Sequence, residues 1–165
     1  MSMTISQSML PEFDHEMAST RKILERVPED RASYTPHEKS MTMGRLAAHI
    51  AQNPVWGTIA LTHDEFDLTP EFENVQMTTR AALLETFDKN CAEARAHVVN
   101  TDDAAMMKMW TFKKGGHTVL SMPKVAVLRT FALNHLIHHR GQLSVYLRLN
   151  NVPVPGLYGP SADEM

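Results

Sequence analysis

Apolar residues recur at helical spacing in four long stretches of this chain, separated by polar, Pro-bearing or Gly-bearing segments. Over residues 5–27 the stripe is Ile5, Met9, Phe13, Met17, Ile23, Leu24 and Val27, and Pro28 follows its end. A second helix is predicted from Ser40 or Thr42, either of which can cap it, through Met43, Leu46, Ala47, Ile50 and Val55. Pro54 is set to kink or end it. The third starts near Thr78 or Thr79 and carries Leu83, Leu84, Phe87, Cys91, Ala94 and Val98. The fourth opens at Pro123, a suitable first-turn residue, and runs to about Leu149, where Asn150-Asn151-Val152-Pro153 stops it. Between the third and fourth, residues 106–112 partly alternate, Lys113-Lys114-Gly115-Gly116 supplies a turn, and His117-Thr118-Val119-Leu120 favours extended backbone. A short β-hairpin or loop excursion is expected there. Residues 62–76 are acidic and read as a solvated connection, and the Pro- and Gly-rich tail 152–165 reads as irregular.

Four helices of roughly 20 residues with little strand predict an all-α four-helix bundle. The length of 165 residues fits one domain, residues 1–165, with no internal repeat or dividing linker. Hydrophobic residues make up 43% and charged residues 21%, the balance of an ordinary water-exposed globular chain. A net charge of -3 offers no basic footprint for nucleic acid, and no apolar run is long enough for a bilayer. The first residues lack the charged and apolar regions of a secretory signal, so a cytoplasmic location is expected. A single cysteine, Cys91, excludes an intrachain disulfide and a cysteine-rich zinc site.

Candidate chemistry therefore rests on the nine histidines. His135 and His139 stand one helical turn apart on the fourth helix, a spacing that suits a divalent transition metal. Random placement of nine histidines gives roughly half of one such pair, so the helical context must carry the weight. On a wheel of about 100° per residue, the stripe of Leu128, Phe131, Ala132, His135, Gln142, Leu143 and Tyr146 has His139 about 20° from its centre and His138 about 80° away. The wheel thus selects His139 over His138 and turns both ligands inward. Gln142, on the same face, is a candidate hydrogen-bond partner for a ligating imidazole. A third ligand must come from another helix. His49 flanks an apolar stripe and is one candidate, and His15 is the next. His37 reads as a loop residue, and His63, His97 and His117 as surface residues. Leu136 occupies the place a glutamate would hold in a His-Glu-x-x-His metalloprotease. Cys91 sits in a helical stripe and reads as core. Glu16 on the first helix is a candidate base, although a solvated helix charge is its simpler reading.

Four segments together resemble the DinB/YfiT-like family. They are Arg31 to Ser40, with Tyr34-Thr35-Pro36-His37-Glu38-Lys39-Ser40 in it, then Met43-Gly44-Arg45-Leu46-Ala47-Ala48-His49, then His135-Leu136-Ile137-His138-His139-Arg140-Gly141-Gln142-Leu143, and the tail from Val152 to Ser161. The resemblance implies an up-down-down-up bundle, frequent homodimers, and zinc or nickel held by His49, His135 and His139. It also implies work with a low-molecular-weight bacterial thiol and a small electrophile. A thiol-dependent S-transferase is the leading expectation, in which the metal turns the thiol into a thiolate. The alternatives are a hydrolase that activates water and a non-catalytic metal-binding stress protein.

Overall fold

A helix gains most of its stability in a protein from burying one face, and each of the four predicted helices does so. In a computed structural model that describes residues 2–73 and 76–165, α1 spans Ile5–Leu24 and starts at a capping box between Thr4 and Gln7. Thr42 caps α2, Met43–Gln52. Pro54 lacks the N–H that would continue this helix, and the chain passes through a tight turn into α3, Val55–Thr62. After β1, Glu65–Leu68, and the single turn α4, Pro70–Glu73, Thr79 caps the long α5, Arg80–Asn100. The short α6, Asp103–Met106, leads into β2, Met109–Lys114, and β3, His117–Pro123. The last helical run is α7, Lys124–Val127, then a π-helical segment, Leu128–Asn134, then α8, His135–Leu149.

The helices account for most of the chain, but the expected all-α bundle is joined by a three-stranded mixed sheet of order β1-β2-β3. The predicted hairpin forms its β2–β3 half, with Met109 opposite Pro123 and Lys114 opposite His117. Gly115 and Gly116 turn it with φ of 58° and 79°, a left-handed pair that only a short list of residues adopts freely. The strand β1 corrects the reading of residues 62–76 as a solvated connection; residues 74 and 75 of that stretch lie outside the described residues. Within β1, Phe66 and Leu68 alternate with Glu65 and Asp67, so one side is apolar and the other is charged. β1 pairs parallel to β2, the Lys113 ammonium meets Glu65 at 2.6 Å, and the Gly116 N–H donates to Asp67 at 2.7 Å. Glu65 and Asp67, two of the acidic residues that suggested solvent, are the outer face of an edge strand.

Two cores result. The larger holds the apolar faces of α1, α2, α5 and α8, with Phe13, Ile23, Leu46, Ile50, Phe87, Leu136 and Leu143 among its buried residues. The smaller is aromatic and lies between α3, the sheet and the π-helical segment, around Trp56 and Trp110. No helix among the described residues is long and apolar enough to cross a membrane.

A charged link runs through the larger core. Arg140 is 1% exposed and Glu16 5%. Their charged groups meet at 2.6 Å. Arg140 also donates to the Glu16 carbonyl and the Thr20 hydroxyl, and Tyr158 from the irregular tail donates to the Glu16 carboxylate at 2.9 Å. Glu16 is thus neither a solvated helix charge nor a free base. Its two oxygens are committed to Arg140 and Tyr158, because a buried carboxylate is tolerated only when paired and hydrogen-bonded.

Removing one partner leaves the other charge buried and alone. Glu16→Ala is expected to cost about 3–5 kcal/mol, lowering Tm by on the order of 10 °C. The double variant Glu16→Leu with Arg140→Leu should lose less than either single substitution. Thermal denaturation of Glu16→Ala, Glu16→Leu, Arg140→Leu and the double leucine variant checks this, and additive losses in the double would contradict it.

Candidate metal centre

Three imidazoles meet where α2 faces the start of α8. His49 comes from α2 and His135 and His139 from α8, and all three are half-buried. His135 Nε2 lies 3.3 Å from His49 Nε2 and 2.7 Å from His139 Nε2. The three ring nitrogens all fall within 4.8 Å of one another. On the opposite edge of His139, Nδ1 lies 2.7 Å from Gln142 Oε1. An amide oxygen only accepts, so His139 donates from Nδ1–H and its Nε2 keeps a lone pair facing the cluster. His135 Nδ1 is buried with no hydrogen-bond partner.

The donor set fits a divalent transition metal. Two nitrogens at about 2.05 Å from a tetrahedral ion stand about 3.3 Å apart, the separation of His49 and His135; the His135–His139 pair would open by about half an ångström. Burial, followed by the neighbouring His139 and Arg45 charges, pushes His49 down to about 4. Burial, followed by the other histidines of the cluster, pushes His135 down to about 4. Burial also lowers His139, while its bond to Gln142 works the other way. All three rings are therefore neutral at neutral pH, the state in which an imidazole ligates metal.

The cluster opens onto a cavity of about 350 Å³, lined by His49 and His135 together with Met41, Arg45, Gln52, Asn53, Trp56 and Phe131. Trp56 is the hub of its aromatic end, with ring centroids 5.0 Å from Phe72, 5.3 Å from Phe131 and 5.8 Å from Phe112.

The DinB family profile matches residues 1–165. The chain belongs to the DinB family. The uncharacterized protein YrdA of Bacillus subtilis is 26% identical over 165 residues, spanning 94% of this chain and 89% of its own. A DinB-like crystal structure from Bacillus cereus superposes with a TM-score of 0.74 at 24% identity, over 96% of this chain and all of the other. The DinB-like protein YjoA of Bacillus subtilis gives 0.67 at 19% identity, over 96% and 99%. At these identities the structures show a shared fold.

Within this DinB fold, His139 joins the cluster, as the helical wheel expected, while His138 is exposed and outside it. The wheel misjudged which way α8 faces. Leu136, Arg140, Leu143 and Leu147 are its buried line, and His135, His139 and Gln142 run along its flank, where His135 lines the cavity. The π-helical turn preceding His135 breaks the 100° step on which the wheel depended. His15 is exposed and His37 donates nothing to the cluster, accepting instead from the Lys39 N–H. Burial pushes the Cys91 thiol up to about 12, so it is no nucleophile. Arg45 and Gln52 went unnoticed, although their steps from His49 of four and three residues place them along one helical line, and Trp56 lies beyond the turn at Pro54. Phe112 and Phe131 carried no such signal.

The depressed histidines make stability of the metal-free protein depend on pH. An unfolded chain protonates these rings near 6.5, whereas the folded chain leaves His49 and His135 neutral until about 4. Acidification through that window therefore favours unfolding. Urea midpoints measured with chelator at pH 7.5, 6 and 5 should fall steadily, and His135→Gln should flatten the decline; a flat profile in the unsubstituted protein would contradict it.

Proposed function

We propose that His49, His135 and His139 hold a divalent transition metal, zinc or nickel, and that the protein is a thiol-dependent S-transferase. The observation that carries this reading is the convergence of three neutral imidazole Nε2 atoms, two of whose rings, His49 and His135, line an open cavity. When bound, the metal supplies a Lewis acid with open positions that lowers the pKa of a thiol.

The residues of the chain do the rest. Gln142 holds His139 in the tautomer that ligates. Arg45, four residues before His49 on α2, adds positive charge near the cluster and favours an anionic thiolate over the neutral thiol. The aromatic end of the cavity excludes water and presents apolar surface to an electrophile. In the transfer itself the thiolate sulfur forms a bond to the electrophilic carbon. The leaving group departs with its electron pair, and the thiol proton is released to solvent.

Two observations favour a thiol over water as the nucleophile. A free thiol has a pKa of about 8.5 and needs only a modest push to ionise, whereas water starts at 15.7. No carboxylate stands among the described residues that line the cavity, and Glu16 is committed to Arg140 and Tyr158. A hydrolase is the runner-up. A purely structural metal fits less well, because structural zinc is closed by four protein ligands and this cluster has three beside open space.

Metal content after zinc or nickel loading is expected near one per chain in the unsubstituted protein, and to fall at least tenfold in His49→Ala, His135→Ala and His139→Ala. His138→Ala should retain it. With a generic aryl halide as electrophile, product should appear only when a low-molecular-weight thiol is supplied. Full metal retention by all three alanine variants would overturn the site, and ester hydrolysis without thiol would favour the runner-up.

A further inference from the structure

Few polar atoms of the cavity wall are within reach of a guest. The Asn53 amide is sealed off, and Gln52 Nε2 is spent on the Phe72 carbonyl at 3.0 Å. Arg45 is different. It is exposed, it lines the cavity, and with the histidines neutral it is the charged residue of the described lining. Among the described residues its guanidinium has no ion pair and no hydrogen bond; only its backbone N–H is engaged, with Thr42. On the outer surface Arg21, Arg95, Arg129 and Arg148 each meet a carboxylate within 3.0 Å. Arg26 and Arg80 line no part of this cavity.

The sequence sets the position of this cation. Arg45 precedes His49 by four residues on α2, so the two side chains rise from one face, one turn apart. After burial and His139, the Arg45 charge is the next influence that holds His49 neutral. A positive group thus stands beside the histidine cluster, and no described lining residue is a carboxylate that could neutralise it.

We propose that Arg45 anchors a single carboxylate on the small molecule that enters the cavity, and so selects anionic guests over neutral and cationic ones of the same shape. Its planar fork offers paired N–H donors that match the two oxygens of a carboxylate. Trp56, Leu68, Phe112 and Phe131 make the rest of the wall apolar, and a second charge placed there would lose water without gaining a partner. One unpaired cation therefore fits a monoanion. The rings leave the body of the guest open, whereas the guanidinium specifies its head group. On the S-transfer reading the carboxylate belongs to the thiol, because Arg45 stands one turn from a ligand of the metal that the sulfur would occupy. That assignment rests on the transfer reading; the anion preference does not.

Two titrations test this. In the first, the full chain treated with chelator is titrated with 3-phenylpropionate, 3-phenylpropanol and 3-phenylpropylamine, which share a body and differ in charge, and binding is followed by ligand-observed NMR. The carboxylate is expected to bind roughly tenfold tighter than the alcohol, with the amine weakest. Arg45→Gln should erase that order with the fold intact by circular dichroism, and Arg45→Lys, which keeps the charge without the fork, should retain part of it. Absence of carboxylate binding, equal affinity for the three compounds, or an order that survives in Arg45→Gln would overturn the proposal. In the second, nickel-loaded protein is titrated with 3-mercaptopropionate and 2-mercaptoethanol, read by thiolate-to-nickel absorption. An advantage of the mercaptopropionate that disappears in Arg45→Gln supports the thiol as carrier of the carboxylate. No advantage, or one that survives the substitution, rejects the thiol as carrier. Because the first titration uses no metal, thiol or turnover, failure of nickel loading or of S-transfer alongside an intact anion preference would count only against the metal or the transfer reading.

Discussion

The buried pair of Arg140 and Glu16 is the constraint on which the geometry of the centre depends. It joins the first long helix to the last, and through Tyr158 it also pins the tail. A guanidinium inside a protein core must keep its partners, so α8 is not free to roll about its axis. With Arg140 turned into the bundle, the preceding residue, His139, is set about 100° away on the flank, and His135 lies one turn below it. The two α8 imidazoles thus owe their direction to a charge pair that is not among the residues lining the cavity.

That arrangement divides labour between the two cores. The aliphatic core fixes α1, α2, α5 and α8 relative to one another and so sets the distance between His49 and the α8 pair. The aromatic core, built where the sheet packs on α3 and the π-helical turn, leaves a cavity instead of closing completely. The small sheet is therefore part of the site. Without β1 and β2, Leu68 and Phe112 would not reach the same space as Phe131 and Trp56. The histidines sit at the seam, neutral because they are half-buried and near one another's charge.

Some of this was legible in the residues alone. The stripes of α1, α2 and α5 were read correctly because each helix buries one continuous face at a regular step. The caps Thr42 and Thr79 and the Gly115-Gly116 turn were visible because their chemistry is local. β1 was missed because an edge strand with one charged face looks like a polar loop until its partner is known. Glu16 and Arg140 were missed for the same kind of reason. A charged residue on a helix reads as solvated, and only the presence of its opposite charge 124 residues away makes burial tolerable.

The sequence by itself determined the elements that depend on neighbours within a few residues: the helices, the hairpin, and the one-turn spacing of His135 and His139. It also determined the family, since the segments around His49, His135 and the tail carry that resemblance in their residue types. Tertiary structure alone decided that His49 meets the other two and that Glu16 is spent on Arg140. Each of those facts is a distance between residues far apart in the chain. Local periodicity says which side of a helix is buried, but it carries no information about what that side is buried against.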